Sequence, residues 1–133
     1  MPQMANITAK NAALLDVIFN VVTGAQGDGT PAIWTATALS GSAIGRPVFS
    51  IVSRWNAAKN ARKVLPKLVV PYTVTDPATT LLKVVANVEF VGGEMTAPIT
   101  VPDSFKADAT AMWTSLNASA LVKECFNTGY AAG

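Results

Sequence analysis

The residues able to do chemistry are few, and their types point away from catalysis. The chain has no histidine, which removes the commonest general base, metal ligand and near-neutral pH switch. Its single cysteine, Cys125, forms neither an intrachain disulfide framework nor a cysteine-rich zinc site. The spacing of Asp103 and Asp108 invites a paired-acid reading, but five residues apart on a helix they do not face each other. Capping a helix start explains Asp103 better. No glycine-rich phosphate loop follows a strand. An isomerase built on one acid and Tyr72 is the weakest of the alternatives. The chain is therefore read as a non-enzyme, with no catalytic residues, no metal and no cofactor.

The basic residues are the better lead. Between residues 46 and 83 lie Arg46, Arg54, Lys59, Arg62, Lys63, Lys67 and Lys83, opposed only by Asp76, for a net charge of +6. The rest of the chain has three basic and seven acidic residues, a net −4. A polyanion would bind the middle third. On charge alone, a nucleic-acid contact and a solvated charged hairpin fit equally. The same choice stands for Lys67 and for Arg62-Lys63.

The elements that carry these residues read as β. Asp16–Val22, Ala32–Leu39, Pro47–Arg54, Lys63–Val74 and Leu81–Val91 are rich in β-branched and aromatic residues, as strands are. Turn clusters separate them at Gly24–Gly29, Ser40–Ser42, Asn56–Asn60 and Thr75–Thr80. Pro66 and Pro71 must kink the fourth strand or place it at an edge, because proline donates no ladder hydrogen bond. Gly92-Gly93 interrupts the fifth strand, and Met95–Val101 continues extended. The last thirty residues change period. Phe105, Ala109, Met112, Trp113 and Leu116 recur at helical spacing. Thr100–Asp103 resembles a capping box, with Ser104 as an alternative cap. Asn117–Ser119 breaks the helix, and Leu121, Val122, Cys125 and Phe126 continue an apolar stripe to a stop at Gly129. Strands followed by a helix pair make an α+β antiparallel layout in a single domain over 1–133, with a β-sheet region (1–101) and a helical region (102–133).

Alternation sorts the sheet into two faces. Ser50, Arg54, Lys63, Lys67, Lys83, Asn87 and Glu89 are expected on one face, and the apolar residues between them on the other. A polar, basic sheet face is a plausible nucleic-acid platform. The apolar face needs the helices, which lie either on their own sheet or across a partner's. Trp34 and Trp113 read as core or interface, Trp55 as a ring that could be exposed, and Cys125 as a buried helix residue.

Length and composition fit this picture. The chain of 133 residues is half hydrophobic and only 14% charged. A chain this long buries roughly two thirds of its unfolded surface, enough for a core. Its mean hydropathy of +0.35 is high for a free-standing monomer and points to self-association. The apolar run Ala12–Val22 is interrupted by Asp16 and Asn20, so neither a signal peptide nor a membrane span is expected. The lone cysteine fits a reducing compartment.

At this point the order of elements becomes recognisable. The chain resembles the coat proteins of single-stranded RNA bacteriophages of the levivirus type. The resemblance rests on Ala32–Thr35, on Pro47–Arg54, on Asn60–Lys63 with Lys67 and Pro71 downstream, on Met95–Thr100, and on the ending from Leu116–Ser119 to Gly129-Tyr130. It implies an antiparallel sheet with an N-terminal hairpin and two C-terminal helices that interlock with a partner subunit. Dimers of that kind close into an icosahedral virion shell in the bacterial cytoplasm, around the viral genomic RNA, with no membrane or small-molecule partner. In well-studied members the inward sheet face grips a hairpin at the replicase start and represses translation. The resemblance places Ser50, Lys67 and Arg54 at RNA-contacting strand positions, and Asn87 and Glu89 at polar positions of a later strand. Leu65 falls where many members have a polar contact, and Val85 where some stack an aromatic ring on a base. Met112, Trp113, Leu116, Leu121, Val122 and Phe126 are expected at the dimer interface. The loop Thr75–Thr80, tuned by Pro77, would meet neighbours at the symmetry axes, without the cysteine cross-links of some members. The runner-up is a non-viral oligomeric RNA-binding module that never closes into shells.

Overall fold

The computed structural model describes residues 2–37 and 43–133. Seven strands form one antiparallel sheet in sequence order: β1 (Ile7–Lys10), β2 (Asp16–Thr23), β3 (Ala32–Thr35), β4 (Val48–Trp55), β5 (Arg62–Thr75), β6 (Leu82–Val91) and β7 (Glu94–Thr96). Two helices follow, α1 (Asp103–Asn117) and α2 (Ala120–Thr128). β3 ends at Thr35, shorter than the strand expected to Leu39, because Ala36 and Thr37 have already left the ladder. Ala38, Leu39 and the expected turn at Ser40–Ser42 lie outside the described residues.

The sheet is a meander, and several of its connections are short and carry turn residues. Asn56 organises the β4–β5 turn, its carboxamide oxygen accepting from the backbone N–H of Asn60 and Ala61. Gly92, at φ +62°, turns β6 directly back into β7. Gly92-Gly93 is therefore a hairpin turn, and β7 ends at Thr96 rather than running extended to Val101.

β5 is a central strand of 14 residues, paired with β4 and β6 and containing both prolines. This overturns the expected edge placement, and each proline is accommodated in its own way. Successive residues of a strand point their N–H and C=O groups to opposite neighbours. The Pro66 carbonyl accepts from Gly92 N–H at 3.2 Å, so its missing donor faces the β6 side, where the β5–β6 pairing begins only at Lys67–Val91. Pro71 faces the other way, beyond the last β4–β5 pair, Val48–Val69. Each proline thus sits where no ladder partner needs an N–H.

The helices cover one face of the sheet. Trp34, Phe49, Ile51, Leu68, Val88 and Leu116 are fully buried there, each contributing about 1.5–3 kcal/mol of apolar burial. Rings bind the layers together. Trp113 of α1 stacks on Phe90 at 5.3 Å and meets Phe49 edge-on at 6.3 Å, and Phe105 meets Tyr72 at 4.9 Å. The N-terminal hairpin straps α1, with Lys10 N–H donating to Ser115 Oγ and Ala12 N–H to Asp108 Oδ1.

The helix limits follow from local chemistry. Ser119 caps α2, its hydroxyl accepting from Val122 N–H, and Gly129 ends it in the left-handed region at φ +78°. The capping box expected at Thr100–Asp103 does not form. Pro102 occupies the cap position of α1 and makes no side-chain cap hydrogen bond; its carbonyl accepts from Phe105 and Lys106 N–H. Beyond α2 the chain runs back between two segments. Ala25 N–H donates to Ala132 O, Gly133 N–H to Pro2 O, and Met4 N–H to Gly133 O. Ala131 N–H donates to Ser53 Oγ at 2.9 Å, which satisfies a buried polar side chain.

Candidate nucleic-acid interface

The face of the sheet away from the helices is open. On β4 the alternation is uninterrupted: Phe49, Ile51 and Ser53 are buried under the helices, while Val48, Ser50, Val52 and Arg54 face out. Pairing carries this across to β5, where Ser50 stands opposite Lys67, Val52 opposite Leu65 and Arg54 opposite Lys63. Arg54, Lys63, Leu65 and Lys67 are exposed and Ser50 is partly so. Four of the expected residues are thus brought together on two rungs separated by an aliphatic one. Asn87 and Glu89 join the same face on β6, opposite Pro71 and Val69.

Lys83 does not, and this corrects the expectation. Ala86 pairs with Tyr72 but Val84 pairs with Thr73, so Val85 is an extra residue on β6. A bulge of this kind reverses the alternation beyond it. Lys83 therefore pairs with Val74, on the side of Tyr72 and Val70 rather than of Pro71 and Asn87. Val85 itself is exposed.

The open face is also less uniformly basic than the chain count implies. Glu94 pairs with Val91, which pairs with Lys67, so Glu94 falls on this face at the β7 edge. Charge is divided, with cations on β4–β5 and acids on β6–β7. The sequence reading missed Glu94; treating Gly92-Gly93 as a hairpin turn would have placed it.

Arg62 leaves the basic cluster altogether. Its guanidinium forms a two-pronged pair with the Asp28 carboxylate, both bonds 2.8 Å, and its Nε donates to Gly129 O at 2.9 Å. It lies over the rings of Trp55 at 4.8 Å and Tyr130 at 4.0 Å. The hydrogen bond from Arg62 holds the Asp28 carboxyl below the usual carboxylate range. Of the two readings of Arg62-Lys63, the structure gives Arg62 to tying segments of the chain together and leaves Lys63 on the open face.

The residues expected at a dimer interface divide as well. Met112, Leu116 and Val122 are buried in this chain's own core, which corrects their assignment: they have no surface left for a partner. Trp113 and Leu121 are half-buried, and Phe126 is 47% exposed. Trp113 and Phe126 line a groove of about 580 Å³ with Leu65, Pro66, Gly92 and Asn117. The groove runs beside the start of the β6–β7 hairpin, and β7 is exposed along all three residues. Cys125 is buried as expected, and burial raises its thiol pKa.

No family model and no curated protein matches this sequence. Among solved structures, the chain is similar to the virus-like particle of Beihai levi-like virus 21, with a TM-score of 0.56 and 16% identity, over 96% of this chain and 95% of that chain. The likeness is one of fold: an antiparallel curled sheet followed by two C-terminal helices, as in a levi-like virus capsid.

Proposed function

We propose that this chain is a capsid protein of a single-stranded RNA virus of the levi-like kind, a structural protein and not an enzyme. Its dimers assemble into a closed shell, and the open sheet face turns inward onto genomic RNA. The observation that carries this reading is the end-to-end match of fold with a protein that forms a virus-like particle.

Two further features support it. The β7 edge is short, exposed and unpaired, so a second copy can continue the sheet. The adjoining groove, floored by Trp113 and Phe126, is a seat for a partner's helix. Together they would bury an interface of order thousands of Å². On the other side, Arg54, Lys63 and Lys67 provide the phosphate contacts.

Light scattering of the purified protein tests the reading. A single species of megadalton mass is expected. A mass of a dimer under all salt and RNA conditions overturns the capsid reading and favours a binding module that does not form shells.

A further inference from the structure

The β4–β5 ladder sets Arg54 directly opposite Lys63 on the open face. Like charges at directly opposed positions repel, and such a pair weakens the ladder that holds it. No acid among the described residues relieves it. Ion pairs such as Lys10–Asp16, Arg62–Asp28 and Lys106–Asp103 involve neither Arg54 nor Lys63. Glu89 pairs with Val69 and Glu94 with Val91, so the acids of this face lie nearer Lys67 and away from the Arg54–Lys63 rung. Lys67 stands four residues further along β5, about 13 Å away at strand rise. The cations form a short track with one doubly charged end.

The track offers no ring. All ten aromatic residues of the chain fall among the described ones. Trp34, Phe49, Phe90 and Trp113 pack between sheet and helices, and Tyr72 and Phe105 pair there too. Trp55 and Tyr130 close on Arg62. Phe19 is fully buried and Phe126 belongs to α2. Between the cations the open face has only Val52 and Leu65. Reading an unpaired base takes a stacking partner, an aromatic ring or a planar guanidinium, and edge contacts that place the base. The one guanidinium on the track, Arg54, stands opposite a second cation in the ladder.

We propose that the Arg54–Lys63 rung, with Lys67, seats the phosphate backbone of RNA with little regard to sequence, because the face offers no aromatic ring on which a base can stack. This rests on the capsid reading. A face of this kind packages RNA without choosing a hairpin, and does not supply hairpin-specific repression of translation. A phosphate at this rung offsets the two like charges that the register sets opposite each other.

The test is fluorescence anisotropy with dimers released from shells, against a uridine homopolymer and a stem-loop of matched length, across a salt series. Affinities are expected to agree within about threefold, as stacking-independent phosphate binding requires. Lys63→Thr is expected to weaken both RNAs alike and to raise the thermal midpoint of the free dimer. It should also reduce the slope of log K against log salt by about 0.7 for each phosphate no longer neutralised. Arg54→Gln is the second variant, with the same expectation. A strong preference for the stem-loop, or binding unchanged in both variants, overturns the proposal and leaves the capsid reading intact. Shells that form empty, from dimers that bind neither RNA, overturn the RNA part of the capsid reading as well.

Discussion

Arg62 and Asp28, 34 residues apart in sequence, meet as a two-pronged ion pair with both hydrogen bonds at 2.8 Å. Arg62 lies in β5 and Asp28 in the turn after β2. The same guanidinium reaches Gly129 O and the Tyr130 ring. One side chain therefore fastens the turn, the end of α2 and the returning segment 130–133. Planar, forked recognition of this kind is specific to arginine.

Arg62→Lys is expected to lower the thermal midpoint and to open residues 130–133 to proteases, because an ammonium cannot make the fork and the ring contacts together. The pH dependence has a definite sign. Asp28 has a lowered pKa in the folded chain, so its contribution is fully present above the ordinary carboxylate value of about 3.9 and is lost as pH falls through the lowered one. Asp28→Asn should remove that part of the acid dependence. Acid unfolding curves that superimpose for the two proteins would contradict the linkage.

Ser53→Ala is expected to cost about 1–3 kcal/mol in chemical denaturation, the range for a buried group left unpaired. Ser53 is 1% exposed and accepts from Ala131 N–H, so its loss strands that donor. A change within the error of the midpoint would mean that water enters and replaces the hydroxyl.

Two helix variants separate fold from assembly. Phe126 is partly exposed at the groove, while Val122, four residues earlier, is fully buried. Phe126→Asp should leave circular dichroism unchanged and yield monomers in size-exclusion chromatography. Val122→Asp should prevent folding, by placing a charge in the core. A normal dimer from Phe126→Asp would remove the groove from the interface.

Cys125 should resist alkylation in the native protein. The thiol is buried, and burial raises its pKa, so little thiolate is available at neutral pH. Reaction with a chromogenic disulfide should be slow in buffer and complete within the mixing time in denaturant. Fast native reaction would show that α2 opens.

How much of this was legible in the sequence depends on the reach of each signal. The faces of β4 and β5 could be read by alternation, because Val48–Arg54 and Lys63–Lys67 run without a bulge. The face of Lys83 could not, because the extra residue is Val85, which announces nothing, unlike a glycine. The helices and their break were legible from period, from Ser119 and from Gly129. The apolar stripe of α1 and α2 was legible as buried, but a stripe does not say which chain covers it, and Met112, Leu116 and Val122 turned out to face their own sheet. The Asp28–Arg62 pair joins two segments that no local pattern connects. A count of charge over 46–83 therefore overstated the cations available on the surface.

On the capsid reading proposed above, the protein is expected to close into shells around RNA. Negative-stain microscopy of the recombinant protein, with its absorbance ratio at 260 and 280 nm, tests it most directly. Uniform closed particles with a nucleic-acid absorbance ratio are the predicted result. Discrete dimers and no particles, even with RNA added, would contradict it.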